Sequence, residues 1–207
     1  QKVKAIVVAC NTASAFALDA VRDELDIPIL GVIEAGAIVA ARETKNKRVG
    51  IIGTEGTVGS GIHASYLKRL DPEITVYGKA CPLFVPLVEE GWTHDPVTDE
   101  VARRYLKELQ DEQVDTLILG CTHYPLLRST IRRIMGEEVR LVNPAYETAL
   151  ELGRLLERED LSGDENVQEE FPYRFYVSDL AEKFKDFANS ILPYNVEKTQ
   201  KIDIEKY

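Results

Sequence analysis

Leu117-Ile118-Leu119-Gly120-Cys121-Thr122-His123 decides the fold of this chain. Three large apolar residues follow one another without alternation, so a strand made from them must bury both faces. Such strands belong to parallel sheets covered by helices on either side. Ile6-Val7-Val8, near the start, reads the same way. Further β-branched runs place strands over residues 3–9, 27–33, 48–53, 74–79, 114–120, 139–143 and 173–178. Segments of helical period lie between them, over 13–25, 34–43, 60–70, 99–113, 125–135, 145–159 and 179–192. In the fourth of these, Val101, Tyr105, Leu106 and Leu109 share one apolar face. Strands alternating with helices predict an α/β protein.

Composition narrows the function. The chain has 207 residues, 44% hydrophobic and 29% charged, an ordinary profile for a packed domain. Its 25 Lys and Arg against 35 Asp and Glu leave a net charge of −10. Nucleic acid and anionic membrane both need a basic face, so neither is an expected partner. The longest apolar runs are of strand length, well below the roughly 20 residues that cross a bilayer. Gln1-Lys2-Val3-Lys4 leads straight into a short strand and does not read as a signal peptide. Three cysteines without a CxxC argue against a disulfide framework or a zinc knuckle, so a reducing cytoplasm and no metal are expected. The acidic stretch 159–170 reads as a solvated loop, and 193–207 as a loosely attached tail.

The strand-to-cysteine pattern occurs twice. Ile6-Val7-Val8-Ala9-Cys10-Asn11-Thr12 and Leu117-Ile118-Leu119-Gly120-Cys121-Thr122-His123 each run from apolar strand to small residue, Cys and polar residues at a helix start. More than a hundred positions separate them, which suits two similar lobes. Ligands of open α/β sheets bind just beyond the carboxyl ends of the strands. A thiol there meets backbone N–H groups and a helix dipole, which are expected to lower its pKa. Asn11, Thr12, Thr122 and His123 add polar groups for an anionic ligand. Two facing thiols can exchange a proton with a carbon acid, one as base and the other as acid. The alternative is that both are inert core thiols. Cys81, followed by Pro82, reads as packing only.

These residues resemble the aspartate/glutamate racemase family, and glutamate racemases in particular. Val8-Ala9-Cys10-Asn11-Thr12-Ala13-Ser14 is similar to the family's first catalytic motif. Leu119-Gly120-Cys121-Thr122-His123-Tyr124-Pro125-Leu126 is similar to its second. Residues 28–34, 53–58, 81–91 and 174–179 also agree, so the resemblance runs from about residue 4 to 192. It implies interconversion of L- and D-glutamate without a cofactor, supplying D-glutamate for peptidoglycan. Cys10 would act on the Cα proton of D-glutamate and Cys121 on that of L-glutamate. Asn11, Thr12, Thr122 and His123 would hold substrate, His123 would assist Cys121, and Glu89, with its neighbour Glu90 as the alternative, would add a carboxylate. The family carries an Asp-Ser-Gly-type loop and a Tyr-Gly-containing loop before its first cysteine motif, and this sequence has neither. The first lobe, 1–32 plus 145–207, is therefore expected to lack its opening strands, and the second, 33–144, to be whole, with the site in the cleft between them. Glutamate is the implied partner, with a homodimer compatible. The rival readings are a remnant that only binds an amino-dicarboxylate or a partner, and a cysteine hydrolase using Cys121 and His123.

Other signals are weaker. The glycine-rich stretch 53–61 follows a strand and precedes a helix, yet it is neither GxGxxG nor a Walker A loop. It reads as a tight turn bordering the site. His63 and His94 read as surface or helix-end residues, Tyr105 as core, and Trp92 as an anchor for a lobe or dimer contact.

Overall fold

In the computed structural model, which describes residues 3–163 and 173–206, all five residues of strand β5 (Thr116–Gly120) are buried. The consecutive apolar run thus has both faces covered. It lies inside a four-stranded, wholly parallel sheet of order β4-β3-β5-β6, with β3 at Arg48–Gly53, β4 at Thr75–Ala80 and β6 at Arg140–Val142. On one face, Val49, Ile51, Ile118 and Val142 pack with Ala37, Val39 and Ala40 of α2 (Val32–Glu43) and Leu67 of α4 (Ile62–Leu70). The other face includes Gly50, against which lie Leu117 and Leu109, the latter from α6 (Pro96–Asp111). Helix α7 (Arg128–Met135) follows a 3-10 turn at Tyr124–Leu127. Asp115 ties the head of β5 to the turn before β3, accepting from Thr44 Oγ1 and from the amides of Lys45 and Asn46, all at 2.7 Å.

The order of this sheet creates a switch point. The chain leaving β3 goes on to β4 on one side, through α3 (Glu55–Gly59) and α4. The chain leaving β5 goes on to β6 on the other. The carboxyl ends of β3 and β5 therefore flank a crevice, and Gly53 pairs with Gly120 at its edge.

A second, two-stranded parallel sheet joins β1 (Ile6–Val8) to β2 (Ile29–Gly31), with α1 (Asn11–Glu24) between them. Both strands are shorter than their sequence suggests, and β2 ends early because Val32 and Ile33 enter α2. Helix α8 (Pro144–Arg158) sets Pro144 against Gly36 of α2 so closely that a Cβ there would meet the proline ring at 3.0 Å. The short helices α3 and α5 (Phe84–Glu89) have too few turns to leave a periodic signature in sequence. Everything so far belongs to one compact unit, Gln1–Leu161.

The other unit, Ser162–Tyr207, is a small β-α-β element. Strand β7 (Phe175–Val177) pairs in parallel with β8 (Thr199–Lys201), and α9 (Ala181–Ile191) connects them. The expected loose tail is therefore corrected: it supplies β8 and buries Val196, whose amide donates to Asn189 Oδ1 at 2.6 Å. Most of the acidic stretch, 164–170, lies outside the described residues. Among the described residues no helix is long and apolar enough to cross a membrane.

His63 also departs from expectation. It does sit at the start of α4, but it is 2% exposed, and neither ring nitrogen has a hydrogen-bond partner among the described residues. Burial disfavours the charged ring and lowers its pKa from 6.5 to about 4. The stability contributed by the neutral ring is thus present above pH 6.5 and is lost as pH falls towards 4. Replacing His63 by Leu should remove about 3 kcal/mol of the acid-side loss. Urea unfolding at pH 7 and pH 4 measures it. An identical drop in both proteins would count against the buried neutral ring.

Candidate active site

Cys10 is the N-cap of α1, its sulfur accepting from the Ala13 amide at 3.5 Å, and it is exposed. The extended backbone at Cys10 ends β1's run and lets α1 start at Asn11, so the thiol stands at a strand-to-helix turn as its sequence suggests. Asn11 is 4% exposed, and its Oδ1 has no hydrogen-bond partner among the described residues. Thr12 reaches across to the four-stranded sheet. Its hydroxyl lies 2.9 Å from both Thr54 Oγ1 and Thr57 Oγ1, at the end of β3. Thr54 in turn caps α3 by accepting from the Thr57 amide. The first cysteine motif is thereby joined to the switch point of the second sheet. Thr54 and Thr57 were not singled out from sequence, although the glycine-rich stretch that holds them was.

Cys121 follows β5 directly and is 9% exposed. Its surroundings oppose one another. Burial raises the thiol pKa, the His123 amide lowers it, a charge on Cys10 raises it, and the Thr122 hydroxyl and amide lower it. The net shift is upward, against the expected lowering, because Cys121 precedes a single 3-10 turn and desolvation exceeds what two amides return. The contribution from Cys10 also means that the two thiols are near enough for one charge to disfavour the other.

His123 Nδ1 lies 3.9 Å from Cys121 Sγ and 3.2 Å from Thr122 Oγ1. Its Nε2 faces Glu89 Oε1 at 3.4 Å. Of the two neighbouring carboxylates it is Glu89, the last residue of α5, that stands against His123, while Glu90 is the helix C-cap. Cys81 is fully buried, and burial pushes its thiol up to about 12, so it is inert packing as expected. Tyr105 is half-buried, and its hydroxyl accepts from the Leu83 amide at 3.3 Å. Trp92 is 48% exposed, with its carbonyl taken by Thr98 Oγ1 at 2.6 Å.

An α/β protein with one thiol at each of two strand ends, and a histidine and carboxylate behind one of them, is equipped for proton transfer at carbon. Residues 1–151 match the family model described as Asp/Glu/Hydantoin racemase. The chain belongs to this racemase family. It is 49% identical over 190 residues to the glutamate racemase of Geobacter metallireducens, covering 92% of this chain and 70% of that one. Among solved structures, glutamate racemase isoform RacE1 of Bacillus anthracis superposes with a TM-score of 0.91 at 37% identity, covering 98% of this chain and 74% of that one. The Francisella tularensis glutamate racemase, solved in complex with D-glutamate, gives 0.90 at 35% identity, covering 100% and 76%. The parallel sheets flanked by helices are the fold of these enzymes.

Proposed function

We propose that this chain interconverts L- and D-glutamate by proton transfer between Cα and two thiols, Cys10 and Cys121. The observation that carries the reading is that the first cysteine motif reaches the switch point flanked by β3 and β5, where Thr12 bonds Thr54 and Thr57. One sulfur removes the Cα proton, the other delivers its own to the opposite face, and the product differs only in configuration. With its thiol pKa raised, Cys121 rests protonated, ready to donate when Cys10 takes the proton of D-glutamate. For L-glutamate, Cys121 must first lose its proton. His123 Nδ1 is placed to take it, and the Glu89 carboxylate gives the charged ring a counter-ion. Asn11 Oδ1, buried and unpartnered, suits the substrate ammonium, and Thr12 and Thr122 supply hydroxyls near the carboxylates.

The carbanion is stabilised by hydrogen bonds and exclusion of water, with no cofactor taking part. The product is of use in cell-wall peptidoglycan, and three free cysteines suit a reducing cytoplasm. Residues 33–144 carry the four-stranded sheet, and the site lies where α1 approaches its switch point, with a homodimer compatible with it.

Circular dichroism following D-glutamate in the presence of the protein tests this directly. The expected result is decay of the signal to zero. Binding of D-glutamate without decay would leave a binding protein. The Cys121–His123–Glu89 array also has the connectivity of a hydrolase triad. A stable signal with a covalent acyl-Cys121 in mass spectrometry would favour that reading.

A further inference from the structure

Tyr124 is completely buried, yet it carries a hydroxyl where phenylalanine would fill the same space. A hydroxyl taken out of water needs a partner. Here it donates to the Cys81 carbonyl at 2.8 Å. That carbonyl also accepts the amide of Phe84, the first residue of α5, at 3.1 Å. Tyr124's own amide donates to the Cys121 carbonyl at 3.2 Å. The rings repeat the link: Phe84 stands edge-on to Tyr124 at 5.2 Å and to Tyr105 of α6 at 5.4 Å. One residue thus connects the turn bearing Cys121 and His123 to both the backbone and the side chain at the head of the helix that ends in Glu89.

We propose that Tyr124 is a positioning residue, whose hydroxyl and ring clamp the Cys121–His123 turn against α5 and so set the contacts from His123 to Cys121 and Glu89. Its service to the reaction rests on the two-cysteine reading above, but its hold on the turn does not. The ionisable groups around it are Cys81, Cys121 and Tyr105, and Cys121 itself feels Cys10 and His123. Without the clamp the turn relaxes, and the amides of Thr122 and His123 move off the sulfur. Those amides are among the few groups that favour the Cys121 thiolate.

Tyr124→Phe keeps the ring and removes only the hydroxyl bond. The rate of iodoacetamide alkylation of the Cys121 peptide, read by mass spectrometry against pH, should shift its midpoint upward by about half a pH unit or more. The kcat for L-glutamate should fall by about tenfold with KM little changed. A lowered Tm with an unmoved midpoint would reduce Tyr124 to packing and overturn the proposal. If the wild-type chain racemises nothing, the two-cysteine reading fails, while the alkylation midpoint still decides the clamp. Should Tyr124→Phe not fold, Phe84→Leu keeps the hydroxyl bond and loosens the rings. A smaller upward shift is expected there, and no shift would overturn the proposal.

Discussion

Cys121→Ser is expected to abolish exchange of the L-glutamate Cα hydrogen with solvent deuterium. A serine hydroxyl occupies nearly the same volume, so the fold should survive. It is a far weaker acid than a thiol, however, and neither its proton nor its alkoxide is available near neutral pH. General acid–base catalysis contributes about 10²–10⁴-fold, and a step requiring both groups should lose at least that. In the proposed reaction His123 accepts the proton of the buried sulfur at the end of β5, and a serine proton is too weakly acidic for it to take. Proton NMR of L-glutamate in deuterium oxide reads the result. Exchange at the wild-type rate would remove Cys121 from the mechanism and with it the two-thiol reading.

Gly120→Ala should cost both stability and activity. A Cβ at Gly120 would lie 2.7 Å from the Ile52 carbonyl oxygen, which belongs to the backbone of the neighbouring strand β3. Backbone inside a parallel sheet cannot turn aside as a side chain can, so β3 and β5 must move apart. Overpacking of this kind costs about 3 kcal/mol. The displacement falls on the residue before Cys121 and on Gly53, which precedes Thr54. Gly50→Ala is the natural comparison. Its Cβ would meet Leu117 Cδ1 at 2.9 Å, the end of a side chain that can change rotamer. Urea unfolding and the racemisation rate together check the pair. Gly120→Ala should be the less stable and the less active, and equal losses would show that the strand-end backbone is not the constraint.

Much of the architecture is legible because it is written locally. Residues 48–53 form β3 over the same range that β-branched residues suggest, and Thr116–Gly120 falls within the expected strand. Burial of both faces is encoded in consecutive apolar residues and needs no distant partner to be read. The paired cysteine motifs stand at the strand ends where the repeat places them. Cys81 is core, as its plain flanks suggest.

The site is legible only in outline. Glu89 and Glu90 are neighbours in sequence, and the end of α5, fixed by the packing of Phe84, decides which one meets His123. His63 looks like a residue at the start of an exposed helix, but α4 turns it inward. The hydroxyls of Thr54 and Thr57 acquire meaning only when α1 brings Thr12 against them.

From the letters alone came the parallel α/β class, the doubled thiol turn, the proton chemistry it permits and the family it resembles. Each rests on short-range patterns of apolarity and chemical type. The folded arrangement settled which carboxylate backs His123, which hydroxyls bridge the two sheets, and the upward shift of the Cys121 thiol. These depend on desolvation and on contacts between segments some thirty or more residues apart, and side-chain spacing along a chain carries no record of either.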